Sequence, residues 1–567
     1  MKPMIEFKNF SFQYDSQSEP TLKNLNLTIY QGEKILIVGP SGSGKSTFAH
    51  CINGLIPNQY QGQMTGEALI DGKNIAETSL FDLSFVTSTV LQDTDGQFIG
   101  LTVAEDIAFV LENDEVSQQE MREKVHRWSE MVDVANHLNK RPQDLSGGQK
   151  QRVSMAGVMI NEAPILLFDE PLANLDPAAG KAAIGLIDTI HQQSDATVLI
   201  IEHRLEDALA KPVDRIIVFN DGQIVANQTP DELLISPILA ENGIREPLYV
   251  TALKYAGVDL QTVQHISDLE KLSGTGLSEK MLTWQSGLFD LEQSAEKAPL
   301  FELKNLNYRY RKQDPLVLND LTTTFRKGEK ISIVGKNGAG KSTLFKALCG
   351  FIRPTGELLW EGKDVGQESI KERADKIGYV MQNPNQMISQ KMIFDEVALG
   401  LQLRGVPETE VKERVHKVLT ICGLYPFRNW PIAALSYGQK KRVTIAAILV
   451  LEPEMLVLDE PTAGQDFRNY SEMMAFVEEL NQLGKTIVMI THDMHLMLEY
   501  TDRALVISGG QVTADASPIQ ILTDVSLVEQ ASLKETSLFT FANKIGIPDP
   551  VAFTRKFIQY DREVRQK

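Results

Sequence analysis

A glycine-rich turn that occurs twice constrains this chain more than any other feature. The first copy is Gly39, Pro40, Ser41, Gly42, Ser43, Gly44, Lys45, Ser46 and Thr47; the second is Gly335, Lys336, Asn337, Gly338, Ala339, Gly340, Lys341, Ser342 and Thr343. Each follows a short apolar run, residues 35–38 or 331–334, and precedes a segment that reads as a helix. Strand, glycine loop and helix in that order form the setting of a phosphate-binding loop. The glycines let the backbone curl so that its N–H groups converge on a triphosphate, and the helix N-terminus adds partial positive charge. Lys45 and Lys341 then reach the β- and γ-phosphates, and Ser46 and Ser342 each offer a hydroxyl to Mg2+.

The repeat extends well beyond the loops. Lys341 lies 296 residues after Lys45, and further along the offset settles at 289–290, so the copies differ by a few loop residues. Residues 5–14 and 300–310 both alternate apolar and polar side chains, as half-buried strands do. Tyr14 and Tyr310 each precede the first loop glycine by 25 residues and are candidates to stack on an adenine ring. Met121, Val125, Trp128 and Val132 form one helical stripe, repeated by Val411, Val415, Val418 and Cys422. On that pattern Cys422 is a core residue, and His126 and His416 are helix-surface residues. Residues 245–259 resemble 534–548, so each half carries a short amphipathic helical appendix. The polar stretch from about 261 to 299 reads as the linker. The expected organisation is a domain over 1–245, an appendix and linker over 246–299, a second domain over 300–527 and a C-terminal appendix over 528–567.

A length of 567 residues and 43% hydrophobic composition give both halves material for a core. The net charge of −19 makes a broad nucleic-acid-binding face a poor expectation and a solvated acidic surface a good one. Three cysteines, none in a C-x-x-C pair, supply neither a disulfide framework nor a zinc site and suit a reducing cytoplasm. The opening residues show no secretory signal, and no apolar run approaches the roughly 18 residues that span a bilayer. Any work done at a membrane therefore calls for a separate membrane-crossing subunit.

The remaining chemistry also comes in pairs. Two apolar strands end in Asp169-Glu170 and Asp459-Glu460. An aspartate there can hold Mg2+, and the next glutamate can polarise a water for in-line attack on the γ-phosphate. His203 and His492, each closing a further strand, are placed to meet the γ-phosphate and that water. Gln92 and Gln382 suit the shell of the metal and water. Alternating strands and helices imply a mainly parallel sheet with the ligand at the strands' carboxyl ends. Singly, an acid pair caps a helix and a histidine fills a core; the whole set, in one order and twice, argues for a site.

The segments Leu145-Ser146-Gly147-Gly148-Gln149 and Leu435-Ser436-Tyr437-Gly438-Gln439 complete the pattern, and with them the chain resembles the ATP-binding cassette (ABC) family over almost its entire length. The resemblance implies an α/β fold: two tandem P-loop NTPase domains, each a mainly parallel sheet core with an antiparallel β subdomain and a helical subdomain. It implies ATP and Mg2+ as cofactors, with Ser46, Asp169 and Gln92, and Ser342, Asp459 and Gln382, at the metal. It further implies an intramolecular pseudo-dimer with shared sites. Lys45, Ser46, Asp169, Glu170 and His203 are then completed by Ser436, Gly438 and Gln439. Lys341, Ser342, Asp459, Glu460 and His492 are completed by Ser146, Gly147, Gly148 and Gln149. Asp176 and Asp466 match the loop through which the halves sense each other. Tyr437 departs from the pattern by replacing a glycine, so the two sites are expected to be unequal, with the Lys341 site faster.

Within that family, residues 92–98 and 101–109, with 382–386 and 394–399, are similar to the energy-coupling factor (ECF-type) ATPases of vitamin and micronutrient importers. That likeness implies integral membrane partners, a transmembrane coupling protein and a substrate-binding component, and a peripheral place on the cytoplasmic face of the cell membrane. Glu105, Asp106, Asp395 and Glu396 are candidates to pair with basic residues of the coupling protein. The alternative is a tandem cassette acting on ribosomes or nucleic acid. Such proteins carry a long basic linker, whereas residues 261–299 are short and mainly acidic.

Overall fold

The computed structural model describes residues 2–91, 95–173, 175–288 and 297–566. The chain divides into two compact units. One holds Met1–Trp284 with Asp466–Arg468 and Thr540–Ile547; the other holds Gln285–Gln465, Asn469–Phe539 and Pro548–Lys567.

In the first unit the described residues form a six-stranded and a four-stranded sheet. The larger runs Gln223–Gln228, Arg215–Asn220, Lys34–Val38, Thr197–Ile201, Ile165–Asp169, Thr87–Val90 in spatial order. It is parallel except for the antiparallel edge hairpin of the first two strands. Lys34–Val38 and Thr197–Ile201 are buried at every position, as strands covered on both faces must be. Register gathers the chemistry: Ile37 pairs with Ile201, and Ile201 pairs with Asp169. The glycine loop after Val38, the acid pair at Asp169 and His203 therefore leave the sheet at one edge, where open α/β sheets bind ligands.

The smaller sheet is antiparallel, with Pro3–Tyr14 between Leu22–Tyr30 and Gly62–Ile70. Its buried Phe7 meets Phe48 of the helix Lys45–Ile52 at 5.1 Å between ring centroids, and Phe48 meets Phe219 at 5.1 Å. Each such buried ring contributes roughly 1.5–3 kcal/mol. This cluster anchors the helix that follows the glycine loop.

The second unit repeats both layers. Its larger sheet runs Ile377–Val380, Met455–Asp459, Thr486–Ile490, Lys330–Val334, Arg503–Ser508, Gln511–Ala516. Ile333 pairs with Ile490, and Ile490 with Asp459. The helical stripes fall where the spacing puts them, on Gln118–Met131 and Glu408–Ile421, with Val125, Trp128, Val411, Val415 and Val418 buried. Cys422 is fully buried, and burial pushes its thiol up to about 12, as befits a core residue.

The two appendices form the helices Leu248–Tyr255 and Ser537–Lys544. The polar stretch after the first is more structured than its composition suggests. It contains a bridge between Gln264 and Ser273 and the helix Leu277–Ser286, and it buries Val263, Ile266, Leu272 and Met281. A few apolar residues among many polar ones suffice because Tyr249 holds the segment, donating to the Ile266 carbonyl at 2.7 Å. No helix among the described residues is long and apolar enough to cross a membrane.

Candidate functional site

Each glycine loop ends in a left-handed residue at the helix N-cap: Gly44 at φ 103° and Gly340 at φ 108°. A Cβ at Gly44 would stand 3.1 Å from the Thr21 carbonyl oxygen, and one at Gly340 2.7 Å from that of Val317. Both backbone angle and space therefore require glycine. Lys45 is buried and donates to the carbonyls of Gly39 and Pro40, both at 2.8 Å. Lys341 does the same toward Gly335 and Lys336. Burial lowers the Lys45 ammonium to about 8, against the opposing pull of Glu170, Asp466 and Asp169. The lysines thus lie folded across their own loops. Ser46 and Ser342, the next residues, are exposed. The Ser41 N–H donates to the carboxylate of Asp466 at 2.6 Å, both within the first unit. Asp176 caps Pro177–Gln193, accepting from the Ala179 N–H.

The acid pairs sit as their strands dictate. Asp169 is raised to about 6, first by burial and then by Glu170, while Lys45 and His203 oppose the rise. Asp459 is also raised by burial; its carboxylate accepts from the Tyr379 hydroxyl at 2.8 Å. Glu170 and Glu460 adopt φ 49° and φ 44°, in the left-handed region that a glutamate rarely enters. Their N–H groups are tied to the carbonyls of Ile201 and Ile490 at 2.9 and 3.0 Å. Local strain held by surrounding structure is a recurrent property of working sites. Glu170 Oε1 stands 3.1 Å from His203 Nε2, and Glu460 Oε1 stands 3.7 Å from His492 Nε2. The glutamate and histidine proposed from sequence are thus neighbours in both copies.

The residues fit a bound Mg2+ in a specific sense. Among the described residues no three His, Cys, Asp or Glu side chains cluster to hold a cation. A serine hydroxyl and one carboxylate beside a phosphate cradle form an all-oxygen set that needs phosphate oxygens to complete it, as Mg2+ prefers. Gln382 is half-buried at the start of its loop. Gln92 lies outside the described residues.

Tyr14 and Tyr310 each place their hydroxyl beside the threonine of their own loop: Thr47 at 3.1 Å and Thr343 at 3.2 Å. The Lys346 ammonium lies over the Tyr310 ring, 5.6 Å from its centre, and Tyr310 remains exposed. The serine and glutamine of each signature segment form a capping box. Ser146 caps Gly147–Met159 and exchanges hydrogen bonds with Gln149; Ser436 caps Tyr437–Leu449 and does so with Gln439. The Ser-x-x-Gln spacing carries that information in the sequence. The boxes start Gly147, Gly148 and Gly438 in the first helical turn, where N–H groups point outward for an anion.

Three of the four acids proposed for docking have local work, and two of them bind a neighbouring loop. Asp106 accepts from the N–H groups of Ile99 and Gly100 at 2.8 and 2.9 Å. Glu396 is 6% exposed and accepts from those of Ser389 and Gln390 at 2.8 and 2.7 Å. Both close the loop before their helix, a role that sequence cannot separate from surface charge. Glu105 is exposed and forms the capping box with Thr102, and Asp395 is exposed at the start of its helix.

Three site residues escaped the sequence reading. Glu202, 3% exposed, accepts from the N–H groups of Leu172 and His203 and is raised by burial to about 7. Tyr379 and Lys441 reach the second acid pair and its glutamine loop. The only signal was a mismatch between the copies: Thr491, Thr89 and Gln151 occupy the corresponding places.

With this geometry in hand, the likeness to known proteins is informative. The family model described as ABC transporter matches residues 22–173 and again 318–463. A second, described as an ATP-binding cassette cobalt transporter, matches residues 236–308. A protein of Enterococcus faecalis described as an ABC transporter ATP-binding protein is 66% identical over 565 residues, covering 100% of this chain and 99% of its own. One of Streptococcus mutans with the same description is 58% identical over 558 residues, covering 98% and 99%. The solved structure of cbiO1 from Clostridium perfringens, part of the ABC transporter complex cbiONQ, is 33% identical. It covers 41% of this chain and 94% of its own, with a TM-score of 0.38. The chain belongs to the ABC transporter family. It is an ABC transporter ATPase, an ATP-binding subunit built of two cassettes.

Proposed function

We propose that this ATPase is the energy-coupling subunit of an ECF-type importer, driving uptake of a vitamin or other micronutrient through separate membrane subunits. The observation that carries the reading is the match of residues 236–308 to a family described as an ATP-binding cassette cobalt transporter. It covers the first appendix and the folded stretch after it, outside the two matched ATPase segments. The resemblance of residues 92–98 and 101–109, with 382–386 and 394–399, to ECF-type ATPases supports it independently. The site of action is the cytoplasmic face of the cell membrane, reached through a transmembrane coupling protein.

In the proposed chemistry, Lys45 and Lys341 leave their loop carbonyls for the β- and γ-phosphates. Ser46 and Asp169, with Gln92, and Ser342 and Asp459, with Gln382, would hold Mg2+, which would neutralise phosphate charge when bound. Glu170 and Glu460 accept a proton from the attacking water. His203 and His492, already beside those carboxylates, orient them and meet the γ-phosphate. Tyr14 and Tyr310 face the adenine. Each ATP is completed by the signature segment of the other cassette, Ser436, Gly438 and Gln439 or Ser146, Gly147, Gly148 and Gln149. Binding then favours a closed state and hydrolysis releases it.

The test is affinity capture of the full chain from detergent-solubilised membranes, followed by identification of what comes with it. Integral membrane subunits are the expected recovery. Co-purification with ribosomal particles overturns the reading.

A further inference from the structure

Tyr437 has a partner, and the partner lies in its own cassette. The helix Tyr437–Leu449 begins with this residue, and Lys441 stands one turn later on the same face. The Tyr437 hydroxyl donates to the carbonyl of Gln382 at 3.2 Å. The Lys441 ammonium donates to the same carbonyl at 2.7 Å and to that of Met381 at 2.8 Å, and its third proton faces the Asp459 carbonyl at 3.4 Å. Lys441 is 1% exposed, so its charge is out of water and its three donors all serve backbone oxygens. A buried ammonium is costly unless so engaged, and an arrangement that satisfies all of it is correspondingly stiff.

The receiving loop is closed from its other side as well. The Met381 N–H donates to the Met387 sulfur at 3.1 Å, and Asn383 caps the turn Pro384–Gln386 through the Asn385 N–H. The backbone of Gln382 is thus fixed by two side chains from the signature helix and by its own loop. The first cassette has Gly147 and Gln151 in these places, and Gln151 donates to the Pro171 carbonyl instead. The glycine-to-tyrosine departure and the glutamine-to-lysine departure, four residues apart, therefore act on one atom.

We propose that Tyr437 and Lys441 are positioning residues for Gln382, clamping the signature helix of the second cassette to its own glutamine loop and so setting turnover at the Lys341–Glu460 site. The inference rests on the reading of Gln382 as a group that touches the metal and water there. The clamp makes the two departures from the repeat one device: the tyrosine acts through its own cassette's site and not by obstructing a facing nucleotide. It also gives the second cassette a rigid path from Ser436, which caps the same helix, to Gln382.

The test uses the full chain, with Tyr437→Phe, Lys441→Gln, Lys441→Arg and the Tyr437→Phe/Lys441→Gln double, each also combined with Glu170→Gln so that Glu460 carries the turnover. The double is expected to lower kcat about tenfold with KM for ATP changed less than about twofold. Because both donors serve one carbonyl, the two single effects are expected to combine non-multiplicatively. Lys441→Arg, which keeps charge and donors, is expected to retain more of the rate than Lys441→Gln. Amide hydrogen exchange across residues 381–387 is expected to quicken in the double, a readout independent of turnover. Unchanged kcat and unchanged exchange overturn the clamp. A raised KM with kcat intact overturns it in favour of Tyr437 acting on nucleotide. Gln382→Ala separates the two failures: if it leaves kcat intact, the reading of Gln382 has failed; if it lowers kcat while the double does not, only the clamp has failed.

Discussion

Glu170 and Glu460 both occupy a backbone conformation that costs a non-glycine residue free energy, and both stand beside a histidine. The general-base role we propose for them is worth about 10²–10⁴-fold at each site, so each Glu→Gln variant is expected to report the rate of the other. Residual steady-state ATPase is expected to be higher in Glu170→Gln than in Glu460→Gln, since Tyr437 and Lys441, which we propose to position Gln382 at the Lys341 site, are Gly147 and Gln151 in the first cassette. Equal residual rates remove the asymmetry. Glu202 yields a prediction in pH. Burial raises its carboxyl from 4.5 to about 7, with Arg204 opposing. Across that window the folded chain keeps a proton that the unfolded chain has lost, so this group's contribution to stability declines as pH rises through it. Glu202→Gln is expected to gain melting temperature relative to the parent between about pH 5 and about pH 8. A difference independent of pH counts against the burial account. Sequence did not reveal Glu202, because its partner Leu172 is 30 residues away and belongs to a different strand–loop junction.

At the scale of elements, the helix Ile393–Gln402 carries two neighbouring acids with opposite environments. Glu396 is buried and ties the N–H groups of Ser389 and Gln390, and Asp395 is exposed. Glu396→Ala is expected to cost about 1–3 kcal/mol in denaturant unfolding, because two backbone hydrogen bonds to its buried carboxylate are lost. Asp395→Lys is expected to leave stability within about 0.5 kcal/mol. If the proposed docking holds, it nevertheless weakens co-purification with the membrane subunits. A stability loss at Asp395 as large as that at Glu396 contradicts the division. Strands, glycine loops and helical stripes were legible because each is a local pattern: an apolar run, a φ that only glycine enters readily, a 3.6-residue period. The capping boxes at Ser146 and Ser436 are equally local, although in sequence those residues were read only as signature segments. The division of labour between Asp395 and Glu396 was not, because a helix-start acid looks the same in sequence whether it faces water or a loop backbone.

On the scale of the whole molecule, an acidic chain with a net charge of −19 is expected to keep its membrane partners in moderate salt and to show no salt-sensitive retention on RNA. Size-exclusion of the captured complex over a salt series measures this. Loss of the partners with gain of RNA contradicts the transport reading. The match over residues 236–308 concentrates the individuality of this ATPase in its middle, in a stretch whose polar composition resembles a linker and whose scattered Val263, Ile266, Leu272 and Met281 nevertheless make a core.

Two glycine loops, two acid pairs and two signature segments are legible in the chain before any fold is known, since they are runs of adjacent residues whose backbone geometry dictates their composition. The sequence also marked Tyr437 as a departure from its own repeat. The contact behind that departure comes from the fold: Gln382 lies 55 residues before Tyr437 and 59 before Lys441, and no local pattern links them. Parallel strands place the glutamine loop and the acid pair side by side, and the signature helix then brings one hydroxyl and one ammonium to the same carbonyl.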